Sequence, residues 1–295
     1  MTILRARIGA RNDLVSEEDS PFGYCLFLRY HLRMDAPRAS PMSGLSAPDE
    51  YRRLRALEAA FDPPTLRLLD KIGVAPGWRC AEVAAGTGSI ALALQLRAGF
   101  VTAVDSDTQF IRHLESPSFS TIESPVEEAE LPADLDLVHA RFLLDLVRDP
   151  RPVIEKLKST LRPGGWLFLE EFDDLTIEAS MGSDHAMSLH RVVLDAKQAA
   201  WAVRGLDSFL GRQLPDFFIS IGLVEIDSEC GCRVRQSGSP GSFGWRQSLL
   251  GMRDELCGGG LLSADEFDEY ILQLDTPGFS YFSPLVVRAF GRVPS

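Results

Sequence analysis

The feature that most constrains the fold is the stretch from Arg79 to Leu94, which reads R-C-A-E-V-A-A-G-T-G-S-I-A-L-A-L. Its apolar run, Cys80–Ala85, contains one acid and predicts a buried strand. Gly86-Thr87-Gly88 then predicts a tight turn, and an alanine- and leucine-rich helix follows. Glycine lets the backbone approach a ligand closely, and the free N–H groups of a helix's first turn attract anions. The stretch therefore predicts a site for a charged small molecule, although a βα turn that needs glycine only for its shape would look the same.

From residue 79 to residue 171, short apolar runs typical of strands alternate with patterns typical of helices. After the run that begins at Cys80, the strand-like runs are Phe100–Val104, Thr121–Glu123, Leu135–Ala140 and Trp166–Glu171. Helices are predicted between them, including one through Phe110 and Leu114 and one over Pro150–Leu161. This alternation predicts a parallel sheet that helices cover on both faces.

Beyond Phe172 the pattern changes. Helices are predicted over Ser183–Arg204, Gly211–Ile221 and Phe243–Leu256, with a capping box at Ser263 and strands over Leu223–Cys230 and Leu285–Val293. This order predicts a hairpin added to the sheet, together with helical insertions.

Upstream of the sheet, two helices are predicted, Pro48–Phe61 and Thr65–Lys71, because Asp62-Pro63-Pro64 is typical of a helix start. Residues 1–48 are predicted to be an N-terminal extension. Its aromatic segment, which contains Tyr24 and His31, is either a flap over a pocket or a docked helix.

The composition excludes some classes of function. The net charge of −12 disfavours a nucleic-acid backbone as the main partner, since phosphate binding needs a basic face. The five cysteines are scattered, which indicates reduced thiols in a cytoplasmic protein and no metal site. No apolar run approaches the roughly 20 residues of a membrane span.

The glycine turn is compatible with two nucleotide ligands. Gly86-Thr87-Gly88-Ser89-Ile90-Ala91 satisfies the dinucleotide pattern G-x-G-x-x-[GA]. In either case Asp105, at the end of the second strand, would accept hydrogen bonds from ribose hydroxyls. Glu82 distinguishes the ligands, because a carboxylate there would repel a pyrophosphate and attract a cationic amine.

Four ordered motifs resemble those of the class I S-adenosylmethionine-dependent methyltransferases. They are Ala81-Glu82-Val83-Ala84-Ala85-Gly86-Thr87-Gly88, Val104-Asp105-Ser106-Asp107, Asp136-Leu137-Val138-His139-Ala140-Arg141 and Leu161-Arg162-Pro163-Gly164-Gly165-Trp166. The last two, and the tail through Phe290-Gly291-Arg292, are similar to a bacterial small-molecule subgroup of secondary metabolism and antibiotic biosynthesis. The resemblance implies a Rossmann-like α/β fold: a mainly parallel, seven-stranded sheet with an antiparallel last strand, helices on both faces and helical cap insertions.

The resemblance also implies a division of the chain and a cofactor. A methyltransferase domain would cover residues 49–295, with insertions at about 174–208 and 238–280. S-adenosylmethionine would be the cofactor, and the residues implied to bind it are Glu82, Ala84, Gly86, Thr87, Gly88, Asp105, Ser106, Val126, Ala140 and Arg141. Ala84 stands where the family usually has its first glycine, so the loop must keep φ negative there or carry strain. Val126 is included because its N–H would hold the adenine where Pro125 replaces the usual acid.

Methyl transfer to a phenol, amine or acidic carbon is assisted by a base near the carboxyl ends of the strands. The candidates are Glu171, His139, His185 and His190, with Asp173 leaving the same strand as Glu171. The insertions are rich in Phe, Trp, Leu and Met, which favours a small, mostly apolar or aromatic acceptor. A homodimer through the N-terminal segment or the cap helices is the predicted assembly.

Two other functions remain compatible with the sequence. An NAD(P)-binding oxidoreductase is disfavoured by Glu82 and by the tail. A methyltransferase fold that binds the donor without methylating is the third candidate.

Overall fold

Seven strands form the central sheet of the computed structural model, which describes residues 44–295. The predictions for the N-terminal extension lie almost entirely outside the described residues. The strands of the chain are β1 (Arg79–Val83), β2 (Phe100–Asp105), β3 (Phe119–Glu123), β4 (Leu135–Arg141), β5 (Leu161–Asp173), β6 (Ala179–Met181), β7 (Val224–Gly231), β8 (Val234–Gln236), β9 (Ser280–Phe282) and β10 (Leu285–Arg292). The helices are α1 (Ala47–Ile72), α2 (Ser89–Ala98), α3 (Pro150–Ser159), α4 (Asp184–Arg204), α5 (Leu214–Ser220), α6 (Pro240–Gly251), α7 (Arg253–Gly258) and α8 (Ala264–Gln273).

The strand order in the central sheet is β3-β2-β1-β4-β5-β10-β7. The first five of these strands are parallel, and β10 runs antiparallel to both β5 and β7. The predicted fold class is confirmed. The carboxyl ends of β1, β2, β4 and β5 meet at one edge, which we call the ligand edge because open α/β sheets bind ligands there.

Two apolar layers sandwich the sheet. Leu68 and Leu69 of α1 pack with Leu94 of α2 on one face. Leu157 of α3 and Phe218 of α5 belong to the layer on the other face. Burial of these side chains holds the helices on the sheet.

A third apolar cluster joins α4, α6, α7 and α8 to the short strand β9. We call these elements, with β6 and β8, the cap. The strands β6, β9 and β8 form a second, three-stranded sheet that the sequence analysis missed, since three residues are too few to show an alternating pattern. The capping box at Ser263 is present and begins α8.

Several predicted helix bounds were wrong. The two upstream helices are one continuous helix, α1, with Pro63 and Pro64 inside it. Each proline costs a backbone hydrogen bond and crowds the preceding turn, but the buried face of α1 continues past both residues, and its packing on the sheet keeps the helix continuous. The helix predicted through Phe110 is a single 3₁₀ turn, Arg112–Leu114.

Two further helices are divided in the structure. The predicted helix over Phe243–Leu256 is divided into α6 and α7 at Met252. The one over Gly211–Ile221 begins with a 3₁₀ turn before α5. Within residues 44–295, no helix combines the length and the apolar character needed to cross a membrane.

Candidate active site

The loop between β1 and α2 has an unusual backbone. Gly86 and Gly88 have left-handed φ values of +57° and +87°, and Ala84 has φ +60°. A left-handed alanine costs roughly 1–2 kcal/mol, so the loop carries strain at the position where the family has glycine. At Gly88 a side chain is also excluded by space, because a Cβ atom would lie 3.0 Å from Ile111 and 3.1 Å from Leu114.

Asp105 ties this loop to the end of β2. Its Oδ2 accepts a hydrogen bond from the Gly86 N–H at 2.8 Å, and its Oδ1 accepts one from the Asp107 N–H at 3.1 Å. Burial raises the pKa of this carboxyl, against the effect of the two N–H donors. Oδ1 also accepts a long hydrogen bond from the Ser106 hydroxyl at 3.5 Å, whereas Oδ2 keeps a further lone pair for a ribose hydroxyl. Ser106 is exposed beside it.

Helix α1 lies over the glycine loop. The Thr87 hydroxyl donates to the carboxylate of Glu58, a buried acid of α1 that also pairs with Arg55. A Cβ atom on Gly86 would lie 3.6 Å from the Leu54 side chain. Sequence reasoning missed Glu58, because nothing local relates this acid to a loop that follows much later in the chain.

Beneath the loop, a row of buried charges crosses the sheet. His139 of β4 lies between two acids: its Nδ1 is 2.6 Å from Glu82 Oε2, and its Nε2 is 3.1 Å from Glu170 Oε1. Arg288 of β10 continues the row, 2.7 Å from the second oxygen of Glu170. We call Glu82, His139, Glu170 and Arg288 the buried relay.

Electrostatics keep His139 charged. Burial lowers the pKa of His139, but the charges and hydrogen bonds of Glu82 and Glu170 outweigh it and raise the pKa to about 9. For Glu82 burial is the largest influence and raises its pKa against the effect of His139. His139 is thus a fully buried imidazolium with both nitrogens engaged, an arrangement suited to fixing Glu82 rather than to taking a proton from an acceptor.

The remaining predicted cofactor residues lie on β4 and in the segment that follows β3. Arg141, at the end of β4, donates to Asp62 at 2.8 Å and to the Thr65 hydroxyl at 3.1 Å, so α1 holds it. Ala140 is fully buried in the sheet. Val126 is buried after β3, and its carbonyl accepts a hydrogen bond from Lys156.

Three phenylalanines meet at the ligand edge. Phe142 follows β4 with φ +57°, and its ring stacks on Phe172 with centroids 3.8 Å apart and planes 6° apart. Phe61 of α1 meets both rings edge-on, at 5.1 and 5.6 Å. Phe142 and Phe172 remain partly exposed, which leaves an aromatic surface beside the ends of β4 and β5.

Glu171 holds the turn that follows β4. Its Oε1 accepts hydrogen bonds from the Leu143 and Leu144 N–H groups, at 3.0 and 2.7 Å. Burial, and then the nearby charge of Asp145, raise its pKa well above the usual range. A buried carboxyl engaged in this way supports the backbone rather than acting as a base.

The two histidines of α4 make their hydrogen bonds within the cap. His185 is exposed, with its Nε2 2.7 Å from Glu269 Oε1. His190 is buried, with its Nδ1 2.5 Å from the Tyr270 hydroxyl, and burial lowers its pKa to about 4. The structure therefore does not bring these two base candidates together with Glu171 or with His139.

The strand order, the antiparallel β10 and the glycine loop after β1 define the class I methyltransferase fold. A family model described as "Methyltransferase domain" matches residues 81–169, the segment from β1 into β5 that contains the glycine loop and Asp105. This segment is therefore similar to the methyltransferase domains that use S-adenosylmethionine.

Curated relatives cover part of the chain. It is 28% identical over 128 residues to the ubiquinone biosynthesis O-methyltransferase of Paracidovorax citrulli, over 40% of this chain and 52% of that protein. The same enzyme from Chromobacterium violaceum is 27% identical over 119 residues, which are 37% of this chain and 50% of that protein. The chain spans about half the length of these relatives.

Solved structures share the fold at low identity. The YcgJ protein of Bacillus subtilis matches with a TM-score of 0.51 and 14% identity, over 78% of this chain and 98% of that one. Phosphoethanolamine N-methyltransferase 2 of Haemonchus contortus, solved with phosphomonomethylethanolamine and S-adenosylhomocysteine, matches with a TM-score of 0.52 and 15% identity, over 88% of this chain and 61% of that one.

The residues present fit S-adenosylmethionine, the cofactor of this family. The left-handed loop leaves room at Gly86, and Asp105 Oδ2 keeps a lone pair for the ribose diol. The first turn of α2 has no side-chain cap, so its N–H groups are available to an anionic ligand group.

Proposed function

We propose that this chain transfers the methyl group of S-adenosylmethionine to a small, mostly apolar or aromatic acceptor. The observation that carries the proposal is the left-handed loop Ala84–Gly88 held by Asp105 at the ligand edge, within the matched domain.

The residues proposed to bind S-adenosylmethionine would each hold a different part of it. Glu82, fixed by His139, would attract the methionine amine, and the loop would wrap the methionine and ribose portion. Asp105 would hold the ribose diol, Ser106 and the Val126 N–H would lie at the adenine, and Ala140 and Arg141 would border the methionine end.

The sulfonium supplies an activated methyl group when the donor is bound. The protein therefore needs mainly to align the acceptor for in-line displacement and to exclude water. Helix α1 suits the second task, because Leu54 and Glu58 lie directly over the glycine loop.

The aromatic surface supports an aromatic acceptor. The stacked rings of Phe142 and Phe172 offer a flat, partly exposed face beside the donor loop, and aromatic rings stack favourably on such a face. The curated relatives are named for O-methylation in ubiquinone biosynthesis, which agrees with a small-molecule acceptor.

The wider setting belongs to the same proposal. Secondary metabolism, a cytoplasmic location, a homodimer, the absence of a nucleic-acid partner and the domain bounds at 49–295 stay predictions from the sequence.

Calorimetry with S-adenosylmethionine, S-adenosylhomocysteine and NADH tests the donor site. We expect both methionine nucleosides to bind and NADH not to bind. Asp105→Ala should weaken binding at least tenfold, roughly the loss of one or two charge-assisted hydrogen bonds. Asp107→Ala, an exposed acid two residues on, is the matched control and should change affinity less than twofold.

Binding of NADH but of neither methionine nucleoside would overturn the proposal. Unchanged affinity in Asp105→Ala would show that the ribose lies elsewhere. If the donor binds and a broad acceptor library yields no methylated product, the fold is used for binding alone.

A further inference from the structure

A second group of buried ionisable side chains lies at the ends of β4 and β5. Lys197 of α4 reaches down to this edge, and its Nζ is 2.7 Å from Asp174 Oδ2, with both side chains buried. Asp145 lies on the turn after β4, and its charge interacts with those of Lys197, Asp174 and Glu171. We call Asp145, Glu171, Asp174 and Lys197 the edge cluster.

The edge cluster has more acceptor atoms than donors. Asp145 Oδ1, Glu171 Oε2 and Asp174 Oδ1 are buried without a hydrogen-bond partner. Glu171 and Asp174 are themselves 0% and 4% exposed. Buried oxygens without hydrogen-bond partners destabilise the folded state. A ligand that donates hydrogen bonds would satisfy the three in this cluster.

Asp145 is the member of the edge cluster through which such a group would enter, since it is partly exposed whereas the other three are buried. The surroundings are aromatic: Lys197 Nζ lies over the rings of Trp201 and Trp245, at 5.1 and 5.9 Å.

The edge cluster and the donor loop lie at the same edge of the sheet. The turn that bears Asp145 follows β4, and β4 is the strand beside β1, which ends at the loop. Phe142 of the aromatic surface lies three residues before Asp145 in the segment that follows β4.

We infer that Asp145 is the general base for a hydroxyl acceptor, an alcohol or a phenol, and that Lys197 holds the acceptor oxygen. This inference rests on the proposed methyl transfer. A cation beside the reacting atom favours a developing oxyanion and disfavours an ammonium group, so the cluster selects oxygen over nitrogen.

The proposed reaction transfers one methyl group to the acceptor oxygen and one proton to Asp145. The Asp145 carboxylate takes the hydroxyl proton as the acceptor oxygen forms its bond to the methyl carbon. The carbon–sulfur bond of the sulfonium breaks, and its electron pair stays on sulfur. The products are a methyl ether, S-adenosylhomocysteine and a protonated Asp145, which releases its proton to solvent.

The titration of Asp145 suits this role. Its pKa is raised to about 6, with burial as the largest influence. The charge of Asp174 also acts to raise it, whereas the charges of Lys197 and of Arg53 on α1 act to lower it. The charge of Asp145 in turn raises the pKa of Glu171 on β5. A base with a pKa near the working pH is both available and strong enough to accept a proton.

The test uses 4-nitrophenol as the probe, because its phenolate absorbs visibly and its hydroxyl can be methylated. The full-length protein, Asp145→Asn and Asp195→Asn are compared, the last being an exposed acid on α4. With S-adenosylhomocysteine present, wild-type protein should bind the probe and raise its phenolate band. With S-adenosylmethionine, methylation should fall at least 100-fold in Asp145→Asn and stay within twofold in Asp195→Asn.

Donor affinity, measured by calorimetry, should be unchanged in Asp145→Asn, and its residual rate should rise with pH as the probe ionises by itself. Equal methylation or equal phenolate bands in wild type and Asp145→Asn would overturn the inference. So would failure of the wild type to bind the probe while S-adenosylhomocysteine binds, although the proposed function would then stand. Failure of both methionine nucleosides to bind would overturn the proposed function itself.

Discussion

The buried relay and the edge cluster are both groups of ionisable side chains in the same half of the sheet, yet their hydrogen bonding differs. In the relay, His139 bonds to an acid on each side. The two relay atoms without a hydrogen bond, Glu170 Oε2 and Arg288 Nε, still face each other as an ion pair 2.7 Å apart. In the edge cluster, Lys197 bonds to Asp174, and one oxygen each of Asp145, Glu171 and Asp174 has no hydrogen-bond partner.

The difference separates two uses of buried charge. Where each charge meets an opposite charge, the group fixes geometry, as His139 fixes Glu82 beneath the donor loop. Where acceptors exceed donors, the unpaired buried oxygens destabilise the folded protein, and a ligand that donates hydrogen bonds to them could relieve this. Groups strained in this way are typical of reactive sites. The following predictions test this contrast, from the largest expected effect to the smallest.

Removing the centre of the relay should have the largest effect. His139→Leu leaves Glu82 and Glu170 buried without their cation, and we expect a loss of about 3–5 kcal/mol in the free energy of unfolding. Urea unfolding at pH 7 measures this loss. His185→Gln, at an exposed histidine, should stay within about 0.5 kcal/mol. A loss below about 1 kcal/mol in His139→Leu would mean that the relay is not a stabilising unit.

Removing the cation of the edge cluster should cost about 3 kcal/mol, because Lys197→Met leaves Asp174 buried and unpaired. The double variant Lys197→Met/Asp174→Asn should recover most of that loss. Additive losses in the double variant would show that the two residues are not an energetic pair.

The two groups should also respond to pH in different ranges. The folded pKa of His139, about 9, exceeds the unfolded value of 6.5, so its contribution to stability is complete below pH 6.5 and is lost as the pH rises through 9. The pKa of Asp145 is about 6 in the folded protein and 3.8 in the unfolded chain. Stability therefore falls as the pH rises from 3.8 to 6, because the carboxyl ionises in a buried environment that disfavours charge.

Unfolding free energies from pH 4 to pH 10 should therefore fall in two steps, each with a slope of at most about 1.4 kcal/mol per pH unit. His139→Gln should remove the upper step, and Asp145→Asn the lower one. Loss of both steps in one variant would contradict the assignment of separate groups.

The smallest effect is expected for Asp145→Asn. Because it removes a charge that lacks a full set of partners, we expect stability at pH 8 to rise by about 1 kcal/mol while methyl transfer is lost. Thermal unfolding measures the first and the 4-nitrophenol assay the second. A fall of more than about 1 kcal/mol would place Asp145 with the paired relay instead.

Local patterns were sufficient to predict the order of strands in the chain, the glycine loop and Asp105. Each depends on residues close together in sequence: an apolar run, a turn dipeptide, an acid at a strand end. The same holds for Ala84: the missing glycine is visible in the motif and predicts either a negative φ or strain, and the structure has the strained alternative. Such patterns could not predict the three-residue strands of the second sheet or the division of α6 from α7.

The sequence by itself determined that the chain forms a parallel sheet with a nucleotide-type loop, because periodicity and glycine act over a few residues. Only the tertiary structure decided what the ionisable residues do. It paired His139 with two acids from other strands, laid Glu58 over the loop and brought Lys197 to Asp174 and Asp145. These contacts join residues far apart in the chain, and burial then set their pKa values, so no local pattern could distinguish the paired histidine from the partnerless carboxylate.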